Sequence, residues 1–298
     1  MFPRDAIENF HIFRRGLGLA PATLELDRYI LEPFEKKFPE WWKSPRQSFV
    51  SYLDSSRTAW TRQTRLRIFR VLLRYMHEEE NLPPDVNPLR GVRASIPAKR
   101  AEATDAETIR AFLSSLGNHW THRRLRVCVL LLAETGLRRS ELCALQWSDV
   151  DMGTRTLRVR AETAKTRRER VVPFGLQVAR ELEGLRRDAQ KRFPGEGGAV
   201  FLDVNGGAMT PNALSKQVKA VVKAKGIKGF HLHGLRHHAA TDLIRATGSL
   251  ALAARLLGHT KISTTAQFYE HLSDDDLRSG MEKAATLRGL SARKGAKS

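Results

Sequence analysis

Apolar residues recur at helical spacing through most of this chain, and only a few short stretches alternate as strands do. In the first third this pattern predicts four short helices. Ala6–Leu17 leads to Gly18, and Ala22–Phe38 starts after Pro21 and ends at Pro39. Pro45–Leu53 follows Ser44, an N-cap residue with proline in the first helical position. Trp60–Glu80 carries Leu66, Phe69, Leu72, Leu73 and Met76 on one face. Its other face shows Arg62, Arg65, Arg67, Arg70 and Arg74, which serve either as solvated surface or as a face that tracks phosphates. Trp41, Trp42 and Trp60 are expected in the core.

The pattern breaks at Leu82-Pro83-Pro84-Asp85, and the basic stretch Asn87–Arg100 follows. This predicts a helical domain over residues 1–83, a basic linker over 84–103 and a second domain over 104–298. There Thr104 and Glu107 form a capping box, and the next helix runs from about Thr121 to Gly136. Thr156–Arg160 and Glu169–Pro173 predict a hairpin around the loop AETAKTRR, Leu176–Arg192 a helix, and Ala199–Asp203 a short strand. Helices follow from Thr210-Pro211 to Gly226, from the His231 region to Gly248, over Ser249–Leu257 and over Thr264–His271. A last helix, Asp274–Leu290, is capped by Ser273; Asp274, Asp275 and Asp276 suit its positive N-terminal dipole better than a metal site. The fold class is therefore mainly α with a small β-hairpin, in two domains: one helical, one mixed α/β.

Charge narrows the function. The 298 residues hold 51 Lys and Arg against 32 Asp and Glu, a net charge of +19 spread through segments that fold. Such an excess favours a polyanion, since each neutralised phosphate releases counterions. The two cysteines, Cys128 and Cys143, lie in apolar helical patterns and make neither a disulfide framework nor a metal site. The N-terminus has no apolar signal region, and the longest apolar run, Val127–Ala133, is too short to span a bilayer. A reducing, cytoplasmic compartment is expected.

Chemistry gathers between His231 and Leu272. His233, Arg236 and His237 share one helical face, His259 follows Gly258 at a turn, and Tyr269 comes ten residues later. All but the tyrosine can donate a hydrogen bond or carry positive charge, as an anionic phosphate oxygen requires. Tyr269 is the one plausible nucleophile in that stretch. Upstream, Arg138 stands at the break between two helices with Glu141 near enough to orient it, while Arg139 points elsewhere. Lys165 sits on the hairpin loop, either as a solvated lysine or as a side chain that reaches into a cleft. A zinc site from His231, His233, His237 and His238 lacks a completing cysteine or carboxylate.

These segments resemble the tyrosine recombinases, the phage integrase and Xer-like family of site-specific DNA recombinases. Thr135-Gly136-Leu137-Arg138-Arg139-Ser140-Glu141-Leu142 is similar to the family's first arginine box, and Lys165 through Pro173 to its hairpin lysine segment. His233-Gly234-Leu235-Arg236-His237, Leu257-Gly258-His259 and Ser263-Thr264-Thr265 up to Tyr269 resemble the remaining boxes, in the family's order. Any one box is weak, and five in order are strong.

The resemblance implies a core DNA-binding domain followed by a catalytic one. It makes Tyr269 the nucleophile that forms a 3′-phosphotyrosyl bond and frees a 5′-hydroxyl. Arg138 and Arg236 clamp the phosphate, Lys165 is the general acid, His233 the base or proton relay, and His259 a phosphate hydrogen-bond partner; Glu141 supports them. It implies no cofactor, neither ATP nor metal, because bond energy is retained in the phosphotyrosine. It also implies a homotetramer on two double-stranded DNA sites, with or without a partner recombinase or accessory factor. Recombination then passes through a Holliday junction on the nucleoid, and the 274–290 helix is exchanged between protomers. Two other readings stay open at this point: a non-catalytic DNA-binding protein on the same scaffold, and relaxation of DNA in the manner of a type IB topoisomerase.

Overall fold

In the computed structural model the chain divides into two compact units, Met1–Arg100 and Ala101–Ser298. The structure describes residues 2–95, 103–164, 168–195, 198–259, 278 and 281. The 264–271 and 274–290 helices expected from the sequence therefore lie outside the described residues, residues 278 and 281 apart.

The first unit is built from α1 (Ala6–Gly16), α2 (Pro21–Lys37), α3 (Pro45–Asp54) and α4 (Ala59–Glu78). Proline opens both α2 and α3, where its missing N–H costs nothing. Ser44 precedes Pro45 as expected, yet its side chain makes no capping hydrogen bond. The core is aromatic. The Phe34 ring stacks on Phe49 at 5.2 Å and meets the edges of Phe69 at 4.9 Å and Tyr52 at 5.4 Å. Trp41 is fully buried beside them, and Trp42 packs at the margin.

Trp60 departs from the expectation: it is 68% exposed. It stands in the first turn of α4, one helical face round from Leu66 and Phe69, and shares its side with exposed Gln63 and Arg67. The arginine face is also partly spent internally. Arg65 donates to the Tyr52 carbonyl at 2.6 Å with its guanidinium 3.9 Å over the Tyr52 ring. Arg62 pairs with Asp54, and Arg70 donates to the Val92 carbonyl at 3.1 Å, leaving Arg67 and Arg74 exposed. That last bond shows where the first part of the basic stretch goes. Leu82 and Leu89 are buried in the bundle core, and Arg46 donates to the carbonyls of Pro88 at 3.0 Å and Arg90 at 3.1 Å. Residues 82–94 are thus packed onto the bundle, and 96–102 lie outside the described residues.

The second unit holds α5 (Ala106–Ser114), α6 (Trp120–Thr135), α7 (Arg139–Cys143), β1 (Val150–Asp151), β2 (Thr156–Val159), β3 (Arg170–Pro173), α8 (Leu176–Arg192), α9 (Pro211–Lys225), α10 (Leu232–Thr247) and α11 (Leu250–Leu257). The sheet is antiparallel in the order β1-β2-β3, with Leu157 opposite Val172 and Val159 opposite Arg170. α6 runs through the core, burying Leu125, Val127, Cys128, Val129, Leu131 and Leu132 with α8 and α10 against it. Both cysteines are buried and free. Among the described residues no helix is long and apolar enough to cross a membrane.

Two local expectations are corrected. Asp105, not Thr104, caps α5: its carboxylate accepts from Thr108 N at 2.7 Å. Thr104 is drawn off by a distant partner, donating its hydroxyl to the His231 carbonyl at 3.2 Å and its N–H to the Gly234 carbonyl at 3.3 Å. The stretch 199–203 makes only single bridges, Gln146 to Ala199 and Leu202 to Ala208, and no strand. Pairing stops because fully buried Arg124 takes the Leu202 carbonyl, and the Asp203 carboxylate folds the chain back by accepting from Asn205 N at 2.8 Å and Gly207 N at 3.1 Å.

Candidate active site

Four segments far apart in sequence meet at one place in the second unit. The first is the end of α6. Gly136 closes that helix at φ +62°, a left-handed conformation that glycine adopts without strain. Buried Leu137 then fixes the turn, and Arg138 precedes α7. Glu141, in the first turn of α7, accepts from Arg138 N at 2.8 Å through Oε2 and from Arg138 Nη1 at 2.8 Å through Oε1. Glu141 thus holds both the backbone and the guanidinium of Arg138. Arg139 turns the other way and donates to Ser215 on α9.

The second segment is the first half of α10. Arg236 is 5% exposed, and its guanidinium is locked by backbone. Nη1 donates to the Gly136 carbonyl and Nη2 to the Leu257 carbonyl at 2.6 Å. These are terminal carbonyls of α6 and α11, the negative ends of two helices, where a cation is favoured. The third segment is the turn after α11: Gly258 adopts φ +64°, and His259 follows with Nε2 3.2 Å from Arg236 Nη2.

The fourth segment contains a residue that the sequence did not single out. Arg170, at the start of β3, forks onto Glu141, Nη1 to Oε1 at 3.1 Å and Nη2 to Oε2 at 2.6 Å. Its Nε donates to the Leu256 carbonyl at 3.1 Å. No local pattern signals this pair, because Arg170 and Glu141 are 29 positions apart and belong to different elements.

His233 lies on α10 one turn before Arg236, open to solvent on one side, with its ring 4.8 Å from that of buried His237. Of the other histidines weighed for zinc, His231 Nδ1 is 3.0 Å from the Gly229 carbonyl and His238 pairs with Asp242 at 3.1 Å. Lys165, between the two strands, and Tyr269 lie outside the described residues.

Electrostatics follow from the packing. Burial pushes the Glu141 carboxyl up, but the hydrogen bonds and charge of Arg170, with those of Arg138, outweigh it and hold the pKa at about 2. Burial and the neighbouring Arg138 lower Arg236 to about 9, so it stays charged at neutral pH. Burial, then Arg236, Arg138 and Arg170, depress His259 to about 4 and leave it neutral. Partial burial and Arg236 lower His233 in the same direction. Three guanidiniums around one carboxylate leave a surplus of positive charge, held rigidly: a preorganised place for an anion.

The phage integrase family model matches residues 101–276. Tyrosine recombinase XerC of Actinobacillus succinogenes is 32% identical over 283 residues, covering 90% of this chain and 93% of that protein. Tyrosine recombinase XerC of Actinobacillus pleuropneumoniae is 32% identical over 212 residues, 70% of this chain and 66% of that one. Among solved structures, the Tn1549 transposon integrase in complex with transposon right end DNA shares the fold, with a TM-score of 0.71 at 20% identity over 95% of this chain and 100% of that one.

Proposed function

This chain belongs to the phage integrase family of tyrosine recombinases and is by that membership a DNA strand-exchange enzyme, and we propose that it cuts and rejoins duplex DNA through a 3′-phosphotyrosyl bond on Tyr269. The observation that carries the reading is the convergence of Arg138, Arg236 and His259, from three separate segments, in one positively charged cluster.

In the forward step the Tyr269 oxygen bonds to the scissile phosphorus and the bond to the 5′-oxygen breaks. A free phenol has a pKa of about 10, so it needs a proton acceptor and a stabilised transition state. His233, lowered from its usual value and so neutral at physiological pH, takes the phenol proton. Arg138 and Arg236 hold the non-bridging oxygens, a bidentate task for which lysine is less suited. His259 adds a neutral imidazole hydrogen bond, and Lys165 protonates the departing 5′-oxygen. Religation runs the same atoms backwards, so the phosphodiester energy is kept and no nucleotide triphosphate or metal enters the balance.

The helical first unit, with residues 82–94 packed on it, serves as the core DNA-binding domain, and the second unit as the catalytic domain. The net charge of +19 supports duplex binding by both. The assembly is a homotetramer on two recombination sites that resolves through a Holliday junction. The 274–290 segment passes to a neighbouring protomer, and the reaction takes place in the cytoplasm on the nucleoid.

The experiment is direct. The protein is incubated with fragmented DNA from its own locus in EDTA and quenched with SDS. A covalent protein–DNA adduct is expected from the native chain and none from Tyr269→Phe. Tight duplex binding with no adduct from the native chain would overturn the catalytic reading.

A further inference from the structure

Arg170 uses its whole guanidinium on two elements that border proposed active-site groups, α7 and α11. It springs from β3, directly after the loop that bears Lys165, with its own backbone paired to Val159. Two of its nitrogens fill both oxygens of Glu141, and the third holds the Leu256 carbonyl, two residues before Gly258. The guanidinium lies so close over Gly258 that a β-carbon there would stand 3.0 Å from Arg170 Cδ and 3.1 Å from Nη1. Its side chain is 9% exposed, and that of Glu141 is fully buried.

The carboxylate accounting makes the arrangement specific. Each Glu141 oxygen receives two donors, one from Arg138 and one from Arg170. Without Arg170, a buried carboxylate would lose half its hydrogen bonds and turn its remaining attraction on Arg138, the very group that must face a phosphate. The turn before His259 would lose its tether in the same change. We propose that Arg170 is a positioning residue for strand cleavage, one that saturates Glu141 and pins the Leu256–His259 turn so that Arg138 and His259 are set for the phosphate. The proposal rests on the phosphotyrosine reading above.

The test uses full-length protein and sheared chromosomal DNA of the source organism as the probe, with adduct formation and duplex affinity measured side by side. Arg170→Gln is expected to form adduct about a hundredfold more slowly, the scale of a misplaced catalytic group, with duplex affinity unchanged. Arg170→Lys keeps the charge but not the fork, and should recover little of the rate. Adding Glu141→Gln to Arg170→Gln should cost nothing more, because the two act as one unit. Arg170→Gln lowers the melting temperature under either role, but a purely structural role would leave the cleavage rate intact below it. The proposal is overturned if folded Arg170→Gln cleaves at the native rate, if Arg170→Lys restores the native rate, or if the loss lies in DNA binding. Should Arg170→Gln not fold, Arg170→Lys decides. No adduct from the native chain would remove the proposed function and this inference together, whereas adduct from the native chain and equal adduct from Arg170→Gln would remove this inference alone.

Discussion

Arg236 and His259, 23 positions apart, meet at 3.2 Å, where burial and then the guanidinium keep the imidazole uncharged. An ordinary histidine takes its proton near pH 6.5, whereas burial and the surrounding arginines hold His259 at about 4. Between those values the unfolded chain binds a proton that the folded chain refuses. Stability from this group is therefore complete above pH 6.5 and is lost as pH falls toward 4. His233 is shifted in the same direction and adds to the slope. Thermal melts should fall between pH 7 and pH 5, and His259→Gln should flatten that slope. An identical slope in the variant would contradict the assignment.

Glu141 is the counter-charge to two guanidiniums in a buried place. Removing one member of such a group leaves charge without compensation, at a cost of about 3–5 kcal/mol. Chemical denaturation of Glu141→Ala should show a loss of that order, with Glu141→Gln losing less because it keeps the shape and part of the hydrogen bonding. A loss under about 1 kcal/mol in Glu141→Ala, the worth of an exposed pair, would mean that solvent reaches the cluster.

Gly234 stands in the first turn of α10, where alanine is ordinarily better by about 1 kcal/mol. Here the sign should reverse. A β-carbon would run into the Thr104 side chain and stand 2.8 Å from the Thr104 backbone nitrogen, which cannot give way without breaking its bond to the Gly234 carbonyl. Gly234→Ala should destabilise the protein by about 1–3 kcal/mol, the usual cost of overpacking. A gain in melting temperature would show that the segment entering the second unit yields freely.

What the chain revealed in advance was whatever it encodes locally. The helices announced themselves by apolar spacing and by their stops: Pro21 and Pro45 at two starts, Gly136, Gly226 and Gly248 at three left-handed ends. Arg138 and Glu141, three positions apart on one turn, could be paired from spacing alone. Contacts made across the fold left no such trace. Thr104 abandons its own helix for His231, 127 positions away, and Arg170 reaches Glu141 across the unit. Trp60 reads as core by composition, but it faces solvent because it lies on the side of α4 away from Leu66 and Phe69. Arg236 and His259 fall in one stretch whose donors and positive charges suit a phosphate, a grouping legible from residue chemistry. The structure adds the reason they meet, two helix ends whose carbonyls hold one guanidinium.

The proposed mechanism stands or falls on whether Tyr269 carries the DNA. Adduct trapped from the native chain should be digested with protease and nuclease, and the modified peptide sequenced by mass spectrometry. The expected product is a nucleotide 3′-phosphate on Tyr269, with a 5′-hydroxyl on the other DNA end that polynucleotide kinase can label directly. A nucleotide on any other residue, or a linkage through a 5′-phosphate, would contradict it.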